Sequence, residues 1–531
     1  VSHMGRARVA PTLIDRVIAW VSPGAGLRRL RARTAMAVAS GYLGARRNRT
    51  ATQEWSTLAS SADADTLPDL DVLRARSRDL VRNDPLAQSA VSTKAVNVIG
   101  TGHVLRPEID ARRLGLSEAV AERWEEDALD IWTEWAASRD CDVTRAQTFS
   151  EMEDLVYRSR LLSGDVFVIR RFRRRPGRLL GSCLQVVEAD RVSNPARAMD
   201  KPGLSGGVEM DADGAPLAYH IADRHDFDVA GAGPVTWRRI PAYGSDGRPL
   251  VLHVHGPRWR PDMTRYAPML APVIESLKQR SRYSEAELMA AVVSACFAIG
   301  LKSSDGDLSS GLKGASSAAP ANQEIRLTEP GQIFDLQPDE EIQSFSPGRP
   351  NAQFGPFIDV LAREVGAGID LPHELLLKSF QASYSASRAA IEMAWQSFRT
   401  DRAHHVAQFC APVYEDVISE AVAAGLLKAP GLFSDPLARR AWLGAVWTGP
   451  ARPTIDPVKD ATADEKYHAL GVTSLTRITA ERFGTDWRVV RRRIERERAA
   501  AGAAGPAPGA AVEPAAPPVD DDRDGDDTEE S

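Results

Sequence analysis

Few residues in this chain stand at spacings that chemistry requires. Gly203-Leu204-Ser205-Gly206-Gly207 carries the letters of a G-x-S-x-G nucleophile elbow, in which the serine hydroxyl attacks an acyl carbon. That elbow needs a strand before it and a helix directly after it. Here Lys201-Pro202 precede it and Val208 to Gly214 follow as a strand and turn, so a glycine turn between strands is the stronger reading. His253-Val254-His255 puts two imidazoles on one face of a strand. No carboxylate or third histidine sits at a matching interval, and two ligands hold a metal badly. Satisfied polar residues at a strand end are the better account. His404 and His405 are adjacent and point apart on a helix, without the i, i+4 partner of a helical metal pair. Gly306 to Gly311 with Leu312-Lys313 has a phosphate-loop look, but the lysine is displaced and no Ser or Thr follows it. The four cysteines, Cys141, Cys183, Cys296 and Cys410, form no C-x-x-C, so they read as neither a disulfide framework nor a zinc site and fit a reducing compartment. The chain is therefore expected to have no catalytic residue, no metal and no cofactor.

Two basic clusters remain. Arg170 to Arg175 could clamp phosphates, or could form the solvated tip of a hairpin or a subunit contact. Arg477 to Arg498 holds eight arginines against Glu481, Asp486, Glu495 and Glu497, a basic helix suited to an acidic partner or to DNA alike.

The elements that must position these residues follow from pattern. The chain has 531 residues, 43% hydrophobic and 26% charged, enough to bury a sizeable core over several domains. Its formal charge of −6 argues against a protein that grips nucleic acid over its whole surface. Charge is segregated: residues 1–50 hold ten arginines against Asp15, and residues 501–531 hold nine acids against Arg523. Residues 1–66 read as a basic arm with weak periodicity, and 501–531 as a tail too poor in apolar residues to order itself. No signal peptide or membrane anchor is read, and the nearly uncharged run Leu288 to Leu301 is of a length for a buried core helix.

Helical spacing runs from Leu67 to Val98, with Asn83-Asp84-Pro85 as a break and new start and Gly100-Thr101-Gly102 as its close. A second helix covers about Leu116 to Ala137. The period then alternates: Asp165 to Phe172, Cys183 to Glu188, Leu217 to Ile221 and Leu250 to His255 read as strands. Ala267 to Gly300 reads as one long helix with Ile274, Leu277, Leu288, Val292, Ala295 and Ile299 on its stripe. Ile325 to Phe334 and Glu341 to Phe345 are short strand candidates. Further helices are expected at Pro356 to Val365, at Ser385 to Ala424 with a bend at Pro412, at 457–470 and at 474–500. The fold class is α+β.

Certain segments then resemble a family. Arg74 to Pro85, followed by Ala95-Val96-Asn97-Val98-Ile99-Gly100-Thr101-Gly102, is similar to the opening signature of tailed-phage portal proteins of the lambda type, the head-to-tail connectors. His253 to Pro257, Ala267 to Ile274 and Tyr283 to Phe297 resemble its central segment. Ser383-Tyr384-Ser385-Ala386-Ser387-Arg388-Ala389-Ala390 resembles the family's Asn-Tyr-Ser-Ser-Ala-Arg-Ala-Ala stretch, and Trp447 to Pro450, Asp456 to Lys459 and Asp464 to Gly471 match near the end. The similarity runs in order from Leu67 to Arg498. Met263-Thr264-Arg265-Tyr266 departs from the family's Gln-x-Arg-Gly, and Ser383 replaces the usual Asn.

The resemblance implies a portal fold: an α+β wing, long stem helices, a small clip and a helical crown in a ring-forming subunit. Mapped here, 67–267 would be wing, 268–302 the first stem helix, 303–350 the clip, 351–368 the second stem helix, 369–386 the tunnel loop, and 387–500 the long wing helix and crown. It implies a homo-oligomeric ring, usually a dodecamer, at one capsid vertex of a virion assembled in the bacterial host cytoplasm, through which double-stranded DNA is packaged and ejected. The implied partners are the terminase large subunit, head-completion or adaptor proteins and the major capsid protein or scaffold, with no membrane; phage, prophage and gene-transfer particle are equally open. A channel must neither read bases nor hold phosphates tightly. Within the tunnel loop, Leu375-Leu376-Leu377 would anchor and Lys378, Phe380 and Gln381 would face DNA. The chain would be no enzyme, the terminase supplying the work. A serine hydrolase at Ser205 and a non-portal head scaffold protein are the competing readings.

Overall fold

A strand buried over its first five residues organises what surrounds it. In the computed structural model, which describes residues 13–29, 59–225, 228, 234–296, 300–303, 340–343, 351–380, 383–454 and 456–501, β2 (Asp165–Phe172) lies between β3 (Ser182–Val187) and β8 (Val251–His255), antiparallel to both. The strand alternates as a pleat must. Val166 and Val168 enter one core with Trp124, Trp132, Trp135, Phe149 and Tyr414, while Phe167 and Ile169 enter another with Tyr219, Ile221 and Val251. Burying each such side chain contributes roughly 1.5–3 kcal/mol, so β2 is held from both faces. Gly164 turns the chain into it at φ +86°, where a Cβ would sit 2.0 Å from the Tyr266 carbonyl oxygen.

The chain divides between Asp65 and Thr66 into two units. In the first, the expected arm contains a helix, α1 (Leu13–Val21), and residues 23–29 are also helical. The next helix, α2 (Ala62–Asn83), begins five residues before Leu67.

In the second unit α3 (Pro85–Val98) starts as its residues dictate: Pro85 lacks the N–H that a first turn leaves unpaired, and Asp84 accepts the amides of Leu86 and Ala87. Strand β1 (Val104–Pro107), α4 (Ala111–Leu114), α5 (Glu118–Ala137) and α6 (Phe149–Ser163) precede β2. A second sheet runs β4 (Leu204–Ser205), β5 (Val208–Met210), β6 (Pro216–Ala222), β7 (Trp237–Pro241), all antiparallel.

The expected 267–300 helix is shorter. Pro268 and Pro272 hold its start in turns and a 3₁₀ segment, Ala271–Val273, so α7 spans Ile274–Cys296. Gly300 opens β9 (Gly300–Ser303), which pairs antiparallel with β10 (Glu340–Gln343). The Ile325 to Phe334 candidate and Ile299 lie outside the described residues. Then come α8 (Phe354–Gly368), α9 (His373–Leu377) and α10 (Tyr384–His405). A π-turn over Val406–Cys410 joins α10 to α11 (Ala411–Ala423). Pro412 explains it, because proline cannot donate to the helical ladder and clashes with the carbonyl four residues back. After α12 (Pro436–Trp442), β11 (Ala445–Thr448) pairs with β1. The expected 474–500 helix is two, because Gly484 at φ +61° ends one of them. The helices after β11 are α13 (Pro457–Ala469), α14 (Leu475–Phe483) and α15 (Trp487–Ala501).

Candidate functional site

The segment between α8 and α10 is tied down at its start and exposed at its far end. Gly366 lies in the last turn of α8, where a Cβ would meet the Leu371 carbonyl oxygen at 2.5 Å, and its own carbonyl accepts the Leu371 amide at 2.9 Å. Pro372 precedes α9. Leu371 and Leu376 are buried in a core with Leu270, Leu277, Val365 and Phe398, and Ser89 on α3 donates to the Leu376 carbonyl at 2.7 Å. Of the three leucines expected to anchor the segment, Leu376 is buried and Leu375 packs against that core, whereas Leu377 is exposed. Lys378 ends α9 at φ +54° and is exposed, as is Phe380. Gln381 lies outside the described residues. Ser383 caps α10 by accepting the Ala386 amide at 3.4 Å. A cleft of about 1170 Å³ adjoins the segment, with Lys94, Tyr266, Pro268, Gly366, His373 and Met393 among its walls.

Two buried carboxylates hold the elements around this segment in register. Asp165 at the start of β2 accepts Arg74 of α2 at 2.7 Å, Arg265 through Nε at 2.7 Å and Nη2 at 3.1 Å, and shares a hydrogen bond with His253 Nε2 at 3.2 Å. Burial alone would raise its carboxyl; Arg265 and Arg74 outweigh that and hold it well below the usual carboxylate range. Burial in turn pushes Arg74 down to about 10. Asp401 on α10 accepts Tyr157 at 3.0 Å and Arg160 at 2.8 Å from α6, and Lys94 of α3 at 3.5 Å. Its carboxyl is likewise lowered, burial being outweighed by Arg160 and Lys94.

The residues singled out for chemistry resolve into structural roles. Ser205 pairs with Val208 across a two-residue turn in which Gly206 and Gly207 both have positive φ, and no helix follows. This is a β-hairpin turn of the type two such glycines favour, the glycine turn expected from the sequence, and the competing elbow reading of Ser205 lacks its helix. Arg265 grips the turn by donating to the Gly206 carbonyl at 2.7 Å. His253 stacks on Phe167 at 4.3 Å and is bound by Asp165, while His255 stacks on Tyr266 at 4.0 Å and contacts the Gly256 carbonyl oxygen at 2.7 Å. Burial brings His255 down to about 4. The run Arg170 to Arg175 is largely consumed inside the chain: Arg170 pairs with Asp416, Arg171 donates to Gln185 and Arg175 pairs with Asp140. In the basic helical stretch, Arg488 pairs with Glu125 of α5 at 2.7 Å and Arg482 with Asp464 of α13 at 2.7 Å. Its acidic partner is in part this chain itself, while Arg493, Arg496 and Arg498 are exposed. The Gly306 to Lys313 stretch lies outside the described residues.

Sequence reasoning missed an exposed apolar surface. Leu288, Met289 and Val292 of α7 are 51–67% exposed, and Phe357 and Val360 of α8 are 46% and 59% exposed. Of the described side chains on the stripe expected to be a buried core, Leu277 is buried and Ile274 packs against the core, whereas Leu288 and Val292 are exposed. Tyr283 pairs α7 with α8, its ring lying 5.0 Å from that of Phe357. No helix among the described residues is long and apolar enough to cross a membrane.

The described residues form an α+β chain in which two helices, α7 and α8, flank the β9–β10 pair and an anchored segment leads into α10. The profile of the family described as phage portal protein, lambda family, matches residues 48–402, and the chain belongs to that family. It is 26% identical over 485 residues to portal protein B of Escherichia phage lambda, covering 87% of this chain and 90% of that one. It is 27% identical over 483 residues to the portal protein of Escherichia phage N15, covering 86% and 90%. Among solved structures, a chain of the virion of a native gene transfer agent particle aligns with TM-score 0.40 and 16% identity over 77% of this chain and 92% of its own. A chain of the neck of the empty particle aligns with TM-score 0.40 and 16% identity over 84% and 96%.

Proposed function

We propose that this portal protein closes into a homo-oligomeric ring, a dodecamer in the particle, at one capsid vertex. Double-stranded DNA enters and leaves through its axis. The observation that carries the ring is the apolar surface of α7 and α8: residues such as Leu288 and Val292, one turn apart, would not stay in water on a free-standing subunit of this size, and a neighbouring copy can cover them. In this reading 67–267 is wing, 268–302 and 351–368 carry the stem helices, 303–350 is the clip, 369–386 the tunnel loop and 387–500 the long wing helix and crown. The β9–β10 pair at the base of 303–350 supports treating that stretch as one excursion.

Lys378 and Phe380, exposed at the end of α9, and Gln381 after them, face the DNA. A single lysine per subunit attracts the phosphate backbone without neutralising enough of it to trap the duplex. The terminase large subunit docks on the ring and supplies the work of translocation; head-completion or adaptor proteins replace it; the major capsid protein or scaffold surrounds it. Assembly takes place in the host cytoplasm. The test is packaging: procapsids assembled without this chain should take up no DNA when given terminase and ATP, and procapsids containing it should. Uptake by the portal-free shells would overturn the reading.

A further inference from the structure

Three ligand-type side chains from distant parts of the sequence converge inside the wing. His103 stands just before β1, Glu153 on α6 and Cys410 at the end of the π-turn, all buried, with their ligand atoms within 4.8 Å of one another. Nδ1 of His103 lies 2.8 Å from Oε1 of Glu153, Cys410 Sγ lies 2.9 Å from the same oxygen, and the His103 amide donates to Oε2 at 3.1 Å.

A second observation points to a ligand. His405 is fully buried, and neither of its ring nitrogens has a hydrogen-bond partner among the described residues; Nε2 of His103 has none either. The two rings stack with centroids 6.0 Å apart. Burying an imidazole with both nitrogens unsatisfied forfeits its hydration without return. The backbone supplies a third. On an α-helix, at 100° per residue, side chains five apart diverge by about 140°, whereas a turn closed by an i→i+5 bond brings them nearly onto one face. The π-turn, with the Ala411 amide bonded to the Val406 carbonyl, does this for His405 and Cys410.

We propose that His103, Glu153 and Cys410 form a structural zinc site, to which His405 adds the fourth ligand by a turn of its ring out of the stack on His103. The donor set fits that ion: thiolate, carboxylate and imidazole together suit tetrahedral zinc, while a thiolate disfavours calcium and magnesium. One thiolate and one carboxylate balance the two positive charges, and binding releases the Cys410 thiol proton to solvent. The cation Arg160, close enough to act on His405, is already paired with Asp401. The ion would pin the strand-leading turn at His103, α6 and the α10–α11 junction to one another, which goes beyond the portal reading and does not depend on it.

The full chain, produced with zinc supplied and purified without chelator, tests this by elemental analysis and by the absorption spectrum of the cobalt-substituted protein. The site predicts about one zinc per subunit, a cobalt–thiolate charge-transfer band, and loss of both in Cys410→Ala. Wild-type protein carrying no more zinc than Cys410→Ala, or a cobalt-supplied wild type without the thiolate band, overturns the proposal. The wild-type band decides alone where the variant fails to fold.

Discussion

Arg265 meets Asp165 side-on, Nε to Oδ2 at 2.7 Å and Nη2 to Oδ1 at 3.1 Å, and both side chains are buried. The same guanidinium donates to the carbonyls of Val192, Gly206 and Ala189, so one side chain joins β2 to the glycine hairpin and the loop before it. Removing Arg265 leaves the buried Asp165 carboxylate to Arg74 and strips three carbonyls of this donor. Arg265→Ala should therefore cost about 3–5 kcal/mol, read as a fall in denaturant midpoint. Arg265→Lys, lacking the fork, should recover only part of it. A loss under about 1 kcal/mol, the range of exposed pairs, would show that the pair is solvated.

Acid should act through the same carboxylates. Asp165 and Asp401 both have carboxyls lowered in the folded chain. A lowered folded value means the stabilisation is fully present above the ordinary unfolded value of about 3.9 and is lost as pH falls below it toward the folded value. Stability measured from pH 7 downward should stay level in this respect until about pH 4 and then drop, and the drop should shrink in Asp401→Asn. An unchanged acid limb in that variant would remove Asp401 from the account.

Leu288 and Val292 test the subunit contact. Leu288→Asp together with Val292→Asp leaves the described core untouched, because both side chains are exposed. The variant should fold as a subunit, with an unaltered circular dichroism spectrum, and fail to form rings in sedimentation. Rings of normal mass would move the contact elsewhere.

Lys378 tests the channel. Lys378→Glu puts a negative charge on an exposed residue at the end of a short helix whose Leu376 stays packed. Rings should form as in the wild type, while packaging or retention of DNA falls. Normal packaging, or cross-links from Lys378 to proteins outside the ring, would take the segment out of the channel and leave family membership intact.

The acidic tail tests what assembly does not need. Deleting 502–531 removes Asp520 to Glu530 but spares Ala501, the end of α15. Rings should form with the same subunit number. Failure to assemble would make the tail structural.

Much of the scaffold was legible because local chemistry and fold agree. β2 was readable to the residue from its alternation, Asp84-Pro85 from its capping chemistry, and the disturbance near Pro412 from the missing N–H. Helix α6 was not, although Thr148 and Glu151 cap it with the Thr148 amide donating at 2.7 Å. Its inner face carries Glu153 and Arg160, charges paired with residues hundreds of positions away, which no periodicity records. The outer half of α7 misled for the opposite reason: an apolar stripe looks the same whether its own chain or a neighbour covers it. At the candidate site, the Leu376 anchor was readable, while the Ser89 contact that fixes α9 spans 287 residues.

Copies of this chain should surround a channel. Electron microscopy of the purified full-length protein measures this most directly. Closed rings of cyclic symmetry with an axial hole wide enough for a DNA duplex are expected. Monomers under all salt conditions, or closed particles without a hole, would contradict it.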